Sequence, residues 1–353
     1  MIQLAQQFRA LLYPFLEVAS GTLGALLLVL LLNRLAIAWR VGRHARLSAK
    51  YRAFVDRLLL PQPDPAALDA LARAPDGDRD VIATLLLAPL VVTIGETKRA
   101  IREACVRLEL DRQWRGALAS RRWWQRAQAA RALGAIQDRA AFAPIRGLLD
   151  DEHGEVRAAA VDALGSFQDP RALPSLTALL SLPWRHQRAR VVDAIRRHGD
   201  AAIDALIDRA KVAPEDRLIV AELLGLIPAP RAIDPLVEWL SDDDASLRAA
   251  AVQSLGAIGL DDRTYYCTLR ALGDGSSDVR AAAARALGRS RRADGSPYLE
   301  PLLDDQWQVA AQAASALRQL GSPGQLALRR RAAEESQAGD LARQMLWERQ
   351  AAL

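Results

Sequence analysis

The sequence predicts an all-α protein: an α-solenoid, a superhelical stack of helix pairs, carried on one N-terminal transmembrane helix. Three observations predict it. A nine-residue string recurs seven times in register, 51% of the residues are hydrophobic while only 5% are aromatic, and one long apolar run lies near the N-terminus. The low aromatic share leaves Ala and Leu, both good helix formers, to supply the hydrophobic content.

The repeats carry most of the case. The strings RAQAARALG, RAAAVDALG, RARVVDAI, RLIVAELLG, RAAAVQSLG and RAAAARALG align without gaps on Arg126, Arg157, Arg188, Arg217, Arg248 and Arg280. A seventh copy, Ala310 to Leu317, has Ala in place of the Arg. The apolar residue seven places on (Leu133, Leu164, Ile195, Leu224, Leu255, Leu287, Leu317) recurs every 29 to 32 residues. Positions +3, +6 and +7 from the Arg are apolar, with Ser254 as the exception, and they make one helical stripe. Small Ala side chains on that stripe permit close helix approach. Five copies have Gly at +8 (Gly134, Gly165, Gly225, Gly256, Gly288), which predicts a left-handed cap ending each helix. A second helix lies between successive strings, punctuated by Pro144, Pro174, Pro235 and Pro301. Acidic turns follow in several copies, at Asp150-Asp151, Asp242 to Asp244, Asp274 and Asp304-Asp305.

Val156-Arg157 through Gly165 and Val279-Arg280 through Gly288 follow the pattern Val-Arg-x-Ala-Ala-x-x-Ala-Leu-Gly. With the Asp-bearing turn and the 31-residue period, this resembles HEAT repeats of the short, bilin-lyase-like class over residues 122–335. The resemblance implies a binding surface, and in a minority of such proteins a chromophore-attaching lyase. It also implies that the repeated Arg lies near the turn and bonds an Asp of its own or the next unit. The third copy (Arg196 for Gly), the fourth (Lys211 where Asp is expected) and the seventh depart from the pattern.

The membrane expectation rests on Leu16 to Trp39, which has no charged residue from Val18 to Leu32 and resumes its apolar character after Asn33 and Arg34. That is long enough to span a bilayer if Arg34 snorkels. Tyr13, Phe15 and Trp39 stand where interfacial anchors belong. Residues 34–57 carry seven basic residues against Asp56, a net of +6, and residues 1–33 are neutral. The remaining chain therefore sums to −1 within the overall +5. A basic flank after the span predicts a single pass in the cytoplasmic (inner) membrane, N-terminus outside and solenoid in the cytoplasm. A cleaved signal peptide, with Ala36-Ile37-Ala38 as its cleavage site, is the alternative.

Residues 1–40 are thus the N-terminal segment and anchor. Residues 41–60 form a basic amphipathic helix with Leu47, Tyr51, Phe54, Val55 and Leu58 on one stripe. That helix either rests on anionic lipid through Arg40, Arg43, Arg46, Lys50 and Arg57 or is simply the first helix of the folded part. The Pro-rich run from Pro61 to Pro65 ends it. Residues 61–121 make a divergent capping unit whose apolar stretch Val81 to Ile94, too short to span a bilayer, is either a buried helix or a segment dipping into the membrane. Residues 122–335 hold the repeats, and residues 336–353 a C-terminal capping helix.

Chemistry finds little purchase. Cys105 and Cys267 match no redox or metal spacing, and the four histidines fall in separate units. No phosphate loop or nucleophile elbow is present in the sequence. No catalytic residue, metal, cofactor or small-molecule substrate is therefore predicted. The expected function is that of a membrane-anchored, non-enzymatic scaffold docking a protein partner at the cytoplasmic face, within a membrane enzyme or envelope-assembly complex. Trp123, Trp124, Trp184, Trp239 and Trp307 are the candidate partner-binding residues, since Trp is enriched at interface hot spots; packing between layers is the competing explanation. The Arg ladder reads as structural before it reads as binding. Nucleic-acid binding, which the near-neutral repeats disfavour, and a bilin-lyase-like enzyme are the alternatives.

Overall fold

The computed structural model describes residues 2–90, 93, 95–181 and 188–350; within its helices the side chains of residues 2–21, 24, 25 and 348–350 are excepted. It is all-α among the described residues, and its contacts divide it into two units, Met1–Ala117 and Leu118–Leu353.

The first unit contains α1 (Ile2–Leu58), α2 (Pro65–Ala72), α3 (Arg79–Leu90), α4 (Gly95–Arg107) and α5 (Leu110–Ala117). Asp64 starts α2, its carboxylate accepting the Ala66 N–H at 2.9 Å, and Pro65 occupies the first helical position. The C-terminal part of α1 buries Tyr51, Val55 and Leu58 against α2 and α3. The stripe read from residues 47–58 thus faces protein. Val81, Ile82, Ala83, Leu86 and Leu90 of α3 are buried as well, while residues 91, 92 and 94 of that stretch lie outside the described residues.

The expected membrane helix is not found. Among the described residues no helix is long and apolar enough to cross a membrane. Described side chains give an unbroken apolar run only from Leu26 to Leu32, seven residues. That covers about 10 Å of the roughly 30 Å of hydrocarbon in a bilayer. Asn33 and Arg34 end the run, and Arg40, Arg43 and Arg46 follow. Much of the expected span before Leu26 lies outside the described side chains. The anchor, the bilayer contact, the single-pass topology and the cytoplasmic-membrane location fall with it.

The second unit is the stack. Its helices are α6 (Trp123–Ile136), α7 (Phe142–Gly147), α8 (Gly154–Phe167), α9 (Leu173–Ala178), α10 (Arg188–Arg196), α11 (Ala202–Val212), α12 (Arg217–Gly225) and α13 (Ile233–Trp239). Then follow α14 (Ala245–Ile258), α15 (Asp262–Ala271), α16 (Ser277–Ser290), α17 (Ser296–Leu299), α18 (Trp307–Gln319), α19 (Ser322–Ala332) and α20 (Gln337–Gln350). The even-numbered helices α6 to α18 are the inner row, each bearing one copy of the repeated string. The odd-numbered helices are the outer row. In all seven copies the +3, +6 and +7 residues are buried, for example Ala160, Ala163 and Leu164, or Ala283, Ala286 and Leu287. Each buried Leu contributes about 1.5–3 kcal/mol.

The repeated glycines do not end helices in a left-handed turn. The left-handed residues are Gln137, Gln168 and Arg291, three places further on in their copies. The glycines serve contact instead. A Cβ at Gly134 would lie 2.6 Å from Cα of Ala163, and one at Gly165 2.7 Å from Cα of Ala194. Gly225 meets Ser254, Gly256 meets Ala286, and Gly288 meets Ala316 in the same way. The +8 residue of one inner helix is therefore pressed against the +6 residue of the next. Ser254, the polar exception, satisfies its hydroxyl by donating to the Ala221 carbonyl across that contact at 2.8 Å.

Candidate functional site

The turn edge, where each outer helix passes into an inner one, holds the repeated arginines. Nε and Nη2 of Arg126 bond the two carboxylate oxygens of Asp151, each at 2.8 Å. Arg248 grips Asp274 at 2.9 and 2.8 Å, and Arg280 grips Asp305 at 2.7 and 2.6 Å. Arg217 reaches Asp242 at 3.5 Å. Each bond runs from one layer to the next. The remaining Nη1 of Arg126, Arg157, Arg248 and Arg280 donates to a carbonyl six residues back, at Ser120, Asp151, Asp242 and Asp274. One guanidinium thereby closes its own turn and, in the paired rungs, holds the next. Arg248 holds the Asp274 carboxyl below its ordinary range, and Arg280 does the same for Asp305. Arg188 is exposed.

A second ladder, absent from the sequence reading, links the outer row in the opposite sense. Arg231 bonds Asp204 of the preceding layer at 2.7 Å, Arg263 bonds Asp234 at 2.7 Å, Arg292 bonds Asp262 at 2.6 Å, and Arg330 bonds Glu300 at 2.5 Å. In two rungs its sequence signal was a basic residue early in the outer segment, as in Pro230-Arg231 and Asp262-Arg263. Arg292 also lies 3.9 Å over the Tyr265 ring, whose hydroxyl donates to Asp294 at 2.8 Å.

The tryptophans divide. Trp123 opens α6 and stacks flat on His153, with centroids 4.0 Å apart and planes within 5°. It keeps 42% of its surface exposed, and Trp124 beside it 46%. Trp307 opens α18 at the equivalent register and is 61% exposed. Trp239 is packed away at 8%. Trp184 lies outside the described residues. His153 doubles as a helix cap, its Nδ1 accepting the Glu155 N–H at 3.3 Å. Next to Trp307, a recess of about 110 Å³ is lined by Asp304, Asp305, Ala310, Gln337 and Leu341 among others.

Several of the basic residues expected on lipid bond groups within the first unit. Arg43 donates to the Gly77 carbonyl at 2.7 Å and to Asp78 at 3.0 Å, and Tyr51 donates to the other oxygen of Asp78 at 2.9 Å. Lys50 donates to the Tyr51 hydroxyl at 3.0 Å. Asp78 is buried, so this cluster fastens α1 to the start of α3. Arg57 faces Asp64 at 3.8 Å, Arg46 turns back to the Gly42 carbonyl, and Arg40 is exposed. Among the described residues no group of three or more His, Cys, Asp or Glu is placed to hold a metal. Cys105 is buried, which pushes its thiol up to about 12. Cys267 is half-buried on the wall of a crevice of about 300 Å³ with Arg270 and Val237.

The sequence model for HEAT repeats matches residues 113–196, 200–266 and 268–347, more than half of the chain. No curated protein matches the sequence. Among solved structures, a mutant form of Kap121p is similar at 15% identity and a TM-score of 0.50, over 87% of this chain and 42% of that one. An engineered protein is similar at 19% identity and a TM-score of 0.36, over 83% and 98%. The CpcE–CpcF complex of phycocyanin lyase from Nostoc sp. is similar at 19% identity and a TM-score of 0.31, over 67% and 93%. These likenesses concern the fold. The chain belongs to the HEAT-repeat family.

Proposed function

We propose that this protein is a non-catalytic docking scaffold whose turn edge receives a protein partner. The observation that carries the reading is the exposure of Trp123, Trp124 and Trp307 on that edge, at both ends of the repeat array, while Trp239 is packed away. Large aromatic side chains left in water are costly, and they become binding energy when a partner covers them. The carboxylates beside them, Asp151 and Asp305, are already engaged in ladder rungs and in backbone N–H bonds at the turns, which favours a structural use over acid–base work. The test places a photo-crosslinking amino acid at Trp123, Trp124 or Trp307, with Tyr298 on the outer row as the control. Edge positions should trap one discrete protein that Tyr298 does not. Replacing Trp124 and Trp307, which make no ring stack among the described residues, with Ala should abolish its co-purification while the cooperative thermal transition is retained. Crosslinks that do not discriminate edge from control would sink the reading.

A further inference from the structure

The stack has one junction built differently from the rest. At five junctions a Gly at +8 is pressed against a small residue at +6 of the next inner helix. Between α10 and α12 those two positions are Arg196 and Leu223. A Leu facing an Arg cannot reproduce an approach that leaves no room even for a Cβ. Accordingly, among the described residues α10 and α12 do not pack closely, whereas α6 with α8, α12 with α14, α14 with α16 and α16 with α18 do. The turn-edge ladder changes here too. The residue 25 places after Arg188, where Arg126, Arg217 and Arg280 find their Asp, is Ala213.

What joins the layers at this point lies on the other side and at the turn. The outer helices α9 and α11 pack together. Asp216 accepts from Ser181 Oγ at 2.6 Å and from Arg209 Nε at 2.7 Å, and Arg209 also bonds Ser181. Asp216 is buried, so this clasp is a fixed point. A junction pinned along its outer row and turn, and lacking the close helix approach along its inner row, has one soft direction. We infer that the solenoid bends between α10 and α12, opening and closing on its inner side about the α9–α11 contact and the Ser181–Asp216–Arg209 clasp. The other junctions are stiff because close-packed interfaces shift only by losing contact over their whole length.

The experiment uses the full chain with Cys267→Ser, leaving Cys105, which burial keeps unreactive. Spin labels go on Arg197→Cys with Leu226→Cys across the α10–α12 junction, and on Ala257→Cys with Arg289→Cys across α14–α16; all four positions are exposed and share one repeat register. The distance distribution across α10–α12 should be at least twice as broad as that across α14–α16, and a ratio below two overturns the inference. Arg196→Gly with Leu223→Ala should narrow the first distribution to the width of the second. Persistent breadth would overturn the assignment to these two residues. Hydrogen exchange on the unsubstituted protein gives a measurement that needs no variant. Amides of α10 and α12 should exchange at least tenfold faster than those of α14 and α16, and equal protection counts against the hinge.

Discussion

Arg248 crosses a layer boundary to hold both carboxylate oxygens of Asp274, at 2.9 and 2.8 Å, while its third nitrogen closes its own turn on the Asp242 carbonyl. Side-chain exposure at this rung is 17% and 16%, against 60% and 78% for the outer rung Arg263–Asp234. Water competes poorly for the first pair and freely for the second.

Removing the sheltered rung should therefore cost stability, and removing the exposed one should not. Arg248→Met is expected to destabilise the chain by about 1–3 kcal/mol, the range for a charge-assisted bond whose partner is left behind. Arg263→Met should leave the denaturation midpoint where it was. Urea titrations of the two variants check this. Equal effects would mean that the rungs act by proximity alone.

Acid should attack the same bonds. Arg248 holds the Asp274 carboxyl below its ordinary value, and Arg280 holds that of Asp305 there. The unfolded chain, with aspartates near about 3.9, then takes up protons before the folded chain does. Stability from these rungs is present above about pH 4 and is lost as pH falls through the depressed folded values. Melting temperature should stay flat from pH 7 to pH 5 and fall below pH 4. Asp274→Asn with Asp305→Asn should make the fall shallower. A decline confined to pH 7–5 would show that these rungs are not the acid-sensitive bonds.

The layer spacing depends on a missing side chain. A Cβ at Gly256 would stand 2.5 Å from Cβ of Ala286 and 3.0 Å from its Cα. Gly256→Ala should cost about 1–3 kcal/mol by overpacking, although the substitution favours the helix locally. Adding Ala286→Gly should return part of the loss, because the space is then restored from the other side. A double-mutant cycle in thermal unfolding reads the coupling, and strict additivity would rule out direct contact.

The two thiols should differ in rate. Cys267 is half-buried on an open crevice, whereas Cys105 is buried with its thiol pushed up to about 12. A maleimide probe at neutral pH should label one site per native chain and two in denaturant. Mass spectrometry locates the site, and native labelling at Cys105 would contradict the packing of α4.

Much of the stack was legible because its period is chemical as well as helical. Ala160, Ala163 and Leu164 show the buried stripe without any coordinates, since apolar residues at +3, +6 and +7 can face only one way on a helix. The glycines were misread. In a sequence, Gly near a helix end signals a left-handed cap, and only the neighbouring layer shows that Gly134 makes room for Ala163. The outer ladder was missed for the same reason. Arg231 and Asp204 are 27 residues apart and mean nothing together until two layers are stacked. Arg43 suggests a lipid contact in the sequence because its partners, Gly77 and Asp78, lie beyond the Pro-rich break that ends the helix. The apolar run near the N-terminus was judged by its composition over a span whose described part is short.

The opposed ladders carry one more implication. From α11–α12 through α15–α16, each layer offers its successor an arginine along the turn edge and an acid along the outer row, and meets an acid and an arginine respectively in return. Such a face fits another of its kind in a single orientation, because rotation by half a turn would set like charges opposite each other. A layer is thus a polarised plug and socket. Tandem duplication of the coding segment inserts a unit that already matches both neighbours, so an array of this design can lengthen or shorten by whole repeats without any new interface having to evolve.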